Sequence, residues 1–328
     1  MRKRIITRLQ LLAVLMLAAL LAMACGKKSE TGNKDTKMGS EKVKQSQEMA
    51  AKKKVLVTTS FLQDMVKQIA GDSVDIELMI PAGADPHLYE AKPEDYRKLK
   101  EADLVLYHGL HFEGKMVEAL EAKGVSVSKN FPEDKLGKMD EDGEIIVDPH
   151  FWFDLKLYAM AVDEAAKALS ELLPANKADY EKARAAYVKE LEALDEENRQ
   201  KISAIPKESR YLITPHDAFN YFSRSYDIEV KAPQGVSTES ETSNQDIRQT
   251  IDFIVEHKVK AVFAESTTDP NRMEKLREGV MAKGHTVKVV KGEGQELFSD
   301  SLAPAGQKGD SFIEMYRHNV DLIVSNLK

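Results

Sequence analysis

The stretch NKADYEKARAAYVKELEALDEENRQKISA, residues 176–204, separates two series of shorter segments and decides how the chain is read. Its apolar residues Tyr180, Ala183, Tyr187, Leu191, Leu194 and Ile202 recur at whole-turn spacings, which places them on one face of an α-helix. Charged residues fill most other positions. So narrow a stripe predicts a helix laid across other structure rather than enclosed by it. Pro174 and Pro206 bound it, because proline cannot continue a helix from within.

On either side of this helix, short apolar runs alternate with amphipathic ones. Before it, strands are expected at 55–59 (VLVTT), 74–80, 104–107 and 125–128. Helices are expected at 62–70, from Pro93 to about 102, at 113–123 and at 154–173, with Pro93 at the first helical position that proline favours. The acidic stretch 132–148, PEDKLGKMDEDGEIIVD, is read as a loop. After the helix, strands are expected at 211–213, 228–231, 261–264 and 286–290, and helices at 218–226, 245–257, 271–283 and about 310–327. Repeated βα units imply parallel sheets covered by helices. The expected fold class is therefore α/β: two (β/α) lobes, 55–175 and 206–328, joined by a single long, rigid helix within 176–205. Such a plan forms a ligand cleft between the lobes. A helical connection resists bending more than extended strands do, so closure should be modest.

The 328 residues are 42% hydrophobic and 31% charged, enough for real cores and unlike a disordered chain. Net charge is −7, which argues against a general nucleic-acid binder. The charge is unevenly placed. Residues 1–24 carry +4 and 26–54 carry +5, and taking both from −7 leaves −16 for 55–328. The apolar run 11–24 behind a basic start is a signal peptide, too short for a spanning helix. It ends in Leu21-Ala22-Met23-Ala24-Cys25, which looks like a bacterial lipobox with Ala22 where Leu is usual. On that reading Cys25 is the lipidated N-terminus and 25–54 a flexible, Lys-rich tether. The alternative cuts at the Ala-x-Ala of 22–24 and leaves Cys25 a bystander. As the sole cysteine, Cys25 excludes an internal disulfide and any Cys-based metal cage.

A metal site would therefore use His, Asp, Glu or backbone oxygen. Two of the eight histidines lie in the same tripeptide, Asp85-Pro86-His87 and Asp148-Pro149-His150, and a third follows a strand in Thr214-Pro215-His216. Ligands of open α/β sheets gather beyond the carboxyl ends of strands, where all three would sit. Proline before each histidine favours a turn that projects the imidazole. The chemistry is that of a three-histidine metal site, completed by a carboxylate. The bland alternative is that Pro-His is ordinary loop chemistry. His108 and His111, in YHGLHFE, are loop histidines or outer contacts of the site. His257, His285 and His318 are solvated or structural.

The chain resembles the zinc/manganese substrate-binding lipoproteins of ABC transporters, the TroA-like group. The resemblance is carried by PAGADPHLYEAKPED (81–95), DLVLYHGLHFEGKM (103–116), DPHFWFD (148–154), TPHDAFNYFSRSYD (214–227), QGVSTESETSNQDI (234–247), AVFAES (261–266), GQELFSDSL (294–302) and SFIEMYRHNVDLIV (311–324). It implies two lobes bridged by a rigid helix, with a metal ion held between them by His87, His150, His216 and Asp300. Asp300 comes from the resemblance alone. The implied cargo is Zn²⁺ or Mn²⁺, and the implied partners are an ABC permease and the membrane under a lipid anchor, with no nucleic acid and a monomeric chain. Relatives specialised for manganese often carry Glu at the position of His216. Zinc-specialised ones often carry a His-rich loop where 132–148 is acidic, and His108 stands where Asn is frequent. Three imidazoles and a carboxylate favour Zn²⁺ in raw affinity; Mn²⁺ would gain if Asp300 bound through both oxygens. A surface adhesin and a zinc-dependent hydrolase are the competing readings. The sequence has no HExxH motif and no evident general base, and nothing in it encodes an adhesive surface.

Overall fold

A computed structural model describes residues 51–141 and 143–328. The stretch read as a signal peptide, and Cys25, lie outside the described residues. Lys54, read as the end of the tether, is the first residue of strand β1 (Lys54–Val57). β1 pairs in parallel with β2 (Asp75–Leu78) and β3 (Leu104–Tyr107), and β3 with β4 (Val125–Ser126), giving the order β2-β1-β3-β4. Val55, Leu56 and Val57 are all buried, as expected of a central parallel strand covered on both faces.

The crossovers are helical. α1 (Ser60–Ala70) is capped by Thr59, whose Oγ1 accepts from Leu62 N at 3.5 Å. α2 (Pro93–Glu101) opens on its proline as expected. The helix expected at 113–123 is shorter: a 3₁₀ turn at Gly114–Met116, then α3 (Val117–Glu121). Gly114 at φ +45° lies outside the right-handed α-helical region, so no α-helix can run through it and α3 starts beyond it.

The expected loop at 132–148 contains an antiparallel hairpin, β5 (Lys138–Glu141) with β6 (Glu144–Val147). The sign overlooked was Asp142-Gly143: Asp-Gly is a two-residue hairpin signal, and Gly143 takes φ +88°.

α4 (Leu155–Leu172) and α5 (Lys177–Ser203) follow. At 27 residues, α5 is about 40 Å long. It buries the stripe read from its sequence, with Ala183 only half-buried. Its first part packs on α1 and α4, where Tyr180 OH meets Ser73 Oγ at 2.6 Å and Tyr187 OH donates to Asp64 at 3.3 Å. Its last turns meet the C-terminal segments: Asn198 bonds Tyr226, and Lys201 bonds Asp321 at 2.7 Å.

The second series gives two parallel pairs, β7 (Tyr211–Ile213) with β8 (Glu229–Lys231), and β9 (Ala261–Phe263) with β10 (Lys288–Val290), with β7 alongside β9. Their helices are α6 (Asn220–Tyr226), α7 (Asn244–Glu256), α8 (Asn271–Ala282) and the final α9 (Phe312–Leu327). A continuous apolar cluster runs through both series, including Phe61, Trp152, Tyr158, Leu194, Phe222, Phe263 and Tyr316. Tyr158 of α4 stacks on Phe312 of α9 with centroids 3.7 Å apart. A close-packed joint of this kind resists wide opening.

Candidate metal centre

The two Asp-Pro-His tripeptides build the same turn twice. Asp85 Oδ1 accepts from His87 N at 2.9 Å, and Asp148 Oδ1 accepts from His150 N at 2.9 Å. This is the Asx turn that aspartate two residues upstream supplies. His87 lies in the segment after β2, His150 just beyond β6 and His216 just beyond β7. Asp300 lies in the segment between β10 and α9. Trp152 Nε1 donates to Ser299 O at 2.9 Å and so ties the Asp300 segment to the His150 turn.

The four side chains meet in the interior. Each offers a ligand atom within 4.8 Å of the others. The imidazole centroids are 5.4 Å apart for His87–His150 and His150–His216, and 6.1 Å for His87–His216. Asp300 lies 3.2 Å from His216 Nε2, 3.4 Å from His150 Nε2 and 4.0 Å from His87 Nε2. His150, His216 and Asp300 are fully enclosed.

Outer carboxylates orient two of the rings. His150 Nδ1 donates to Asp148 Oδ1 at 2.7 Å, and His216 Nδ1 donates to Glu265 Oε2 at 2.5 Å. With Nδ1 so engaged, each Nε2 faces inward, the arrangement that prepares an imidazole for a metal. Asp148 is itself held by Asn220 Nδ2 at 3.1 Å. Reasoning from the sequence had Asp148 in its motif without a role and missed Glu265. A carboxylate directly after strand 261–264 was the available signal.

The inward atoms lack ordinary partners. His216 Nε2 and both Asp300 oxygens make no hydrogen bond although fully buried. Buried polar atoms are almost always satisfied, and a cation would satisfy all of them together. The electrostatics agree. Burial holds His87 down to about 3, so it is a neutral donor at neutral pH. Burial would also lower His150, but the Asp148 and Asp300 carboxylates outweigh it and raise it to about 9. His216 is raised well above its ordinary range, with burial outweighed by Glu265 and Asp300. Asp300 is held well below the carboxylate range: burial opposes this, and the charges on His216 and His150 overcome it. Without a cation, the centre balances its carboxylate with protons.

The other histidines fall outside the group. His108, read as a loop residue or outer contact, is fully buried, with Nε2 2.7 Å from Thr59 Oγ1 and its ring edge-on to Trp152 at 5.2 Å. His111 is exposed. His318 is buried against Glu296 O at 2.9 Å, and His285 Nε2 bonds Val259 O at 3.0 Å, both structural as expected.

Parallel sheets braced by one long helix, with three imidazoles and a carboxylate enclosed among the segments that follow strands β2, β6, β7 and β10, define a binding protein for a transition-metal cation. The chain belongs to the family described as zinc-uptake complex component A, periplasmic (ZnuA), which matches residues 55–326. It is 40% identical over 289 residues to zinc-binding protein TroA of Treponema pallidum (strain Nichols), covering 86% of this chain and 92% of that one. It is 38% identical over 279 residues to manganese-binding lipoprotein MntA of Bacillus subtilis (strain 168), covering 84% and 89%. A solved structure concerned with the metal-binding specificity of TroA superposes with a TM-score of 0.84 at 60% identity, covering 85% of this chain and 100% of that one.

Proposed function

We propose that the protein captures a divalent transition-metal cation outside the cytoplasm and hands it to a membrane ABC importer. The observation that carries this is the enclosed set His87, His150, His216 and Asp300, whose ligand atoms converge and in which His216 Nε2 and both Asp300 oxygens make no hydrogen bond. Two ligands come from the segments before α5 and two from those after it. We accordingly divide the body into a lobe at 55–175, a linker helix within 176–205 and a lobe at 206–328. Neither lobe alone has a complete shell, so the bound cation ties them together, and the permease is the partner that recognises the tied form.

The chemistry is binding rather than turnover. Four protein ligands complete a tetrahedral shell and leave no position for a reacting molecule, unlike hydrolytic sites with three ligands and an open fourth. Three imidazoles favour Zn²⁺ over Mn²⁺ in affinity. Manganese as the physiological cargo is the second reading. It is favoured by the two uncommitted oxygens of Asp300, which could bind together and expand the shell. Cys25 is the lipid-anchor site, and the chain works as a monomer at the end of its tether. Among the described residues no helix is long and apolar enough to cross a membrane.

The test is titration of metal-stripped protein with Zn²⁺ and Mn²⁺ in competition, alongside elemental analysis of the protein as isolated. One equivalent of Zn²⁺ should bind and displace Mn²⁺. Displacement of Zn²⁺ by equimolar Mn²⁺ would reverse the metal order, and no uptake of either would refute the site.

A further inference from the structure

The centre has one side nearest solvent. Of its four residues only His87 keeps any exposure, 3%. A cation that enters or leaves must pass beside it. His87 sits on the segment 81–88, which is fastened on two sides. Toward the first sheet, Gly114 approaches so closely that a Cβ there would stand 2.5 Å from His87 O. Phe112 meets the imidazole edge-on at 5.0 Å.

Toward the C-terminal segments the fastening is two hydrogen bonds. Gly83 N donates to Ser301 Oγ at 2.7 Å, and Thr238 Oγ1 donates to Asp85 Oδ2 at 2.6 Å. Both far partners are themselves held. Ser301 Oγ lies 3.1 Å from Ser60 Oγ, which accepts from Leu302 N at 2.9 Å. Gln234 Nε2 donates to Thr238 O at 2.9 Å, and its Oε1 accepts from Arg272 at 2.5 Å. Asp85 thus carries the tie inward, with one oxygen on Thr238 and the other on His87 N. Neither Thr238 nor Ser301 belongs to the four-residue centre. What they hold is the segment that carries the one ligand with any exposure.

We propose that the Thr238–Asp85 and Ser301–Gly83 hydrogen bonds are latches that keep the His87 segment closed and set the rate of cation release. Thr238 and Ser301 are positioning residues that act through Asp85 and Gly83. The inference rests on the metal-binding reading above.

The experiment loads full-length protein with Zn²⁺, mixes it with excess chelator and follows release by stopped flow, for the wild type, Thr238→Val, Thr238→Ser and Ser301→Ala. Thr238→Val keeps the shape and removes the donor, so release should accelerate about tenfold or more, the scale set by losing a hydrogen bond to a charged group. Thr238→Ser restores the hydroxyl and should release at close to the wild-type rate. Ser301→Ala supplies a second, independent opening of the same segment and should also accelerate release. Thermal unfolding of the metal-free proteins separates a merely structural role, which would lower melting without changing release. Wild-type release rates in both Thr238→Val and Ser301→Ala would overturn the latches while leaving metal binding intact. A wild-type protein that takes up no Zn²⁺ would overturn the metal-binding reading and the latches with it.

Discussion

Metal uptake should release protons, and affinity should keep rising with pH well past neutrality. The cause lies in the empty centre, where Asp148 and Asp300 raise His150 to about 9. At pH 7 that imidazole is then about 99% protonated, and its Nε2 proton must leave before the atom can bind a metal. Two pH units correspond to about 2.7 kcal/mol, or about a hundredfold in apparent affinity. His216 is displaced in the same direction by Glu265 and Asp300. Asp300 is already ionised and His87 already neutral, so neither adds a proton. The sign follows from linkage: the empty state holds the protons and the loaded state does not, so acid favours the empty state. The logarithm of the association constant should rise by about one to two per pH unit from pH 6 to 8 and level off only above about 9. An ordinary imidazole, titrating near 6.5, would already be flat by pH 8. Calorimetry with Zn²⁺ at pH 7, in buffers of different ionisation enthalpy, counts the protons directly; about one to two are expected per metal. A count near zero, with affinity constant from pH 7 to 9, would show that the outer carboxylates do not charge these rings and would refute the reasoning.

Other changes separate ligands from their supports. His216→Ala should lower Zn²⁺ affinity by more than the roughly 10–100-fold that loss of an outer partner costs, with circular dichroism unchanged. Glu265→Gln and Asp148→Asn should each fall within that 10–100-fold range in chelator competition, because the ring keeps its place but loses a charged acceptor. Leu194→Ala removes a fully buried side chain at the joint of α5 and should cost about 2–5 kcal/mol in urea unfolding of the metal-free protein. Chelation should lower the melting temperature, since free metal at a hundred times its dissociation constant contributes about 2.7 kcal/mol.

The fold was legible where local and tertiary preferences agree. The stripe of α5 is buried as its spacing requires, and its bounds fall within a residue of those read from 176–204. The βα alternation gave parallel strands because helical crossovers allow little else. Misreadings fell where a short segment carries few apolar residues. The hairpin at Lys138–Val147 is acidic on one strand, so its strongest clue was a dipeptide rather than a pattern. α3 was overextended because apolar spacing continues through a turn that Gly114 breaks.

The centre divides along a similar line. His87, His150 and His216 announce themselves through proline, and for His87 and His150 the Asx turn that sets the imidazole is a local property. Asp85 and Asp148 show how far that legibility extends. The same tripeptide makes the same Asx turn, yet the carboxylates serve different ends. Asp148 uses one oxygen for both the backbone and Nδ1 of its own histidine. Asp85 turns its second oxygen to Thr238, 153 residues away. No local pattern distinguishes the two, because the difference lies in what the opposite segments present. Asp300 is the limiting case, one acid among 54, found only through the family resemblance. What marks it physically is a fully buried carboxylate with neither oxygen hydrogen-bonded. That costly arrangement exists only once four distant segments have converged. The residue hardest to find in the sequence is therefore the one whose surroundings argue most strongly for a cation.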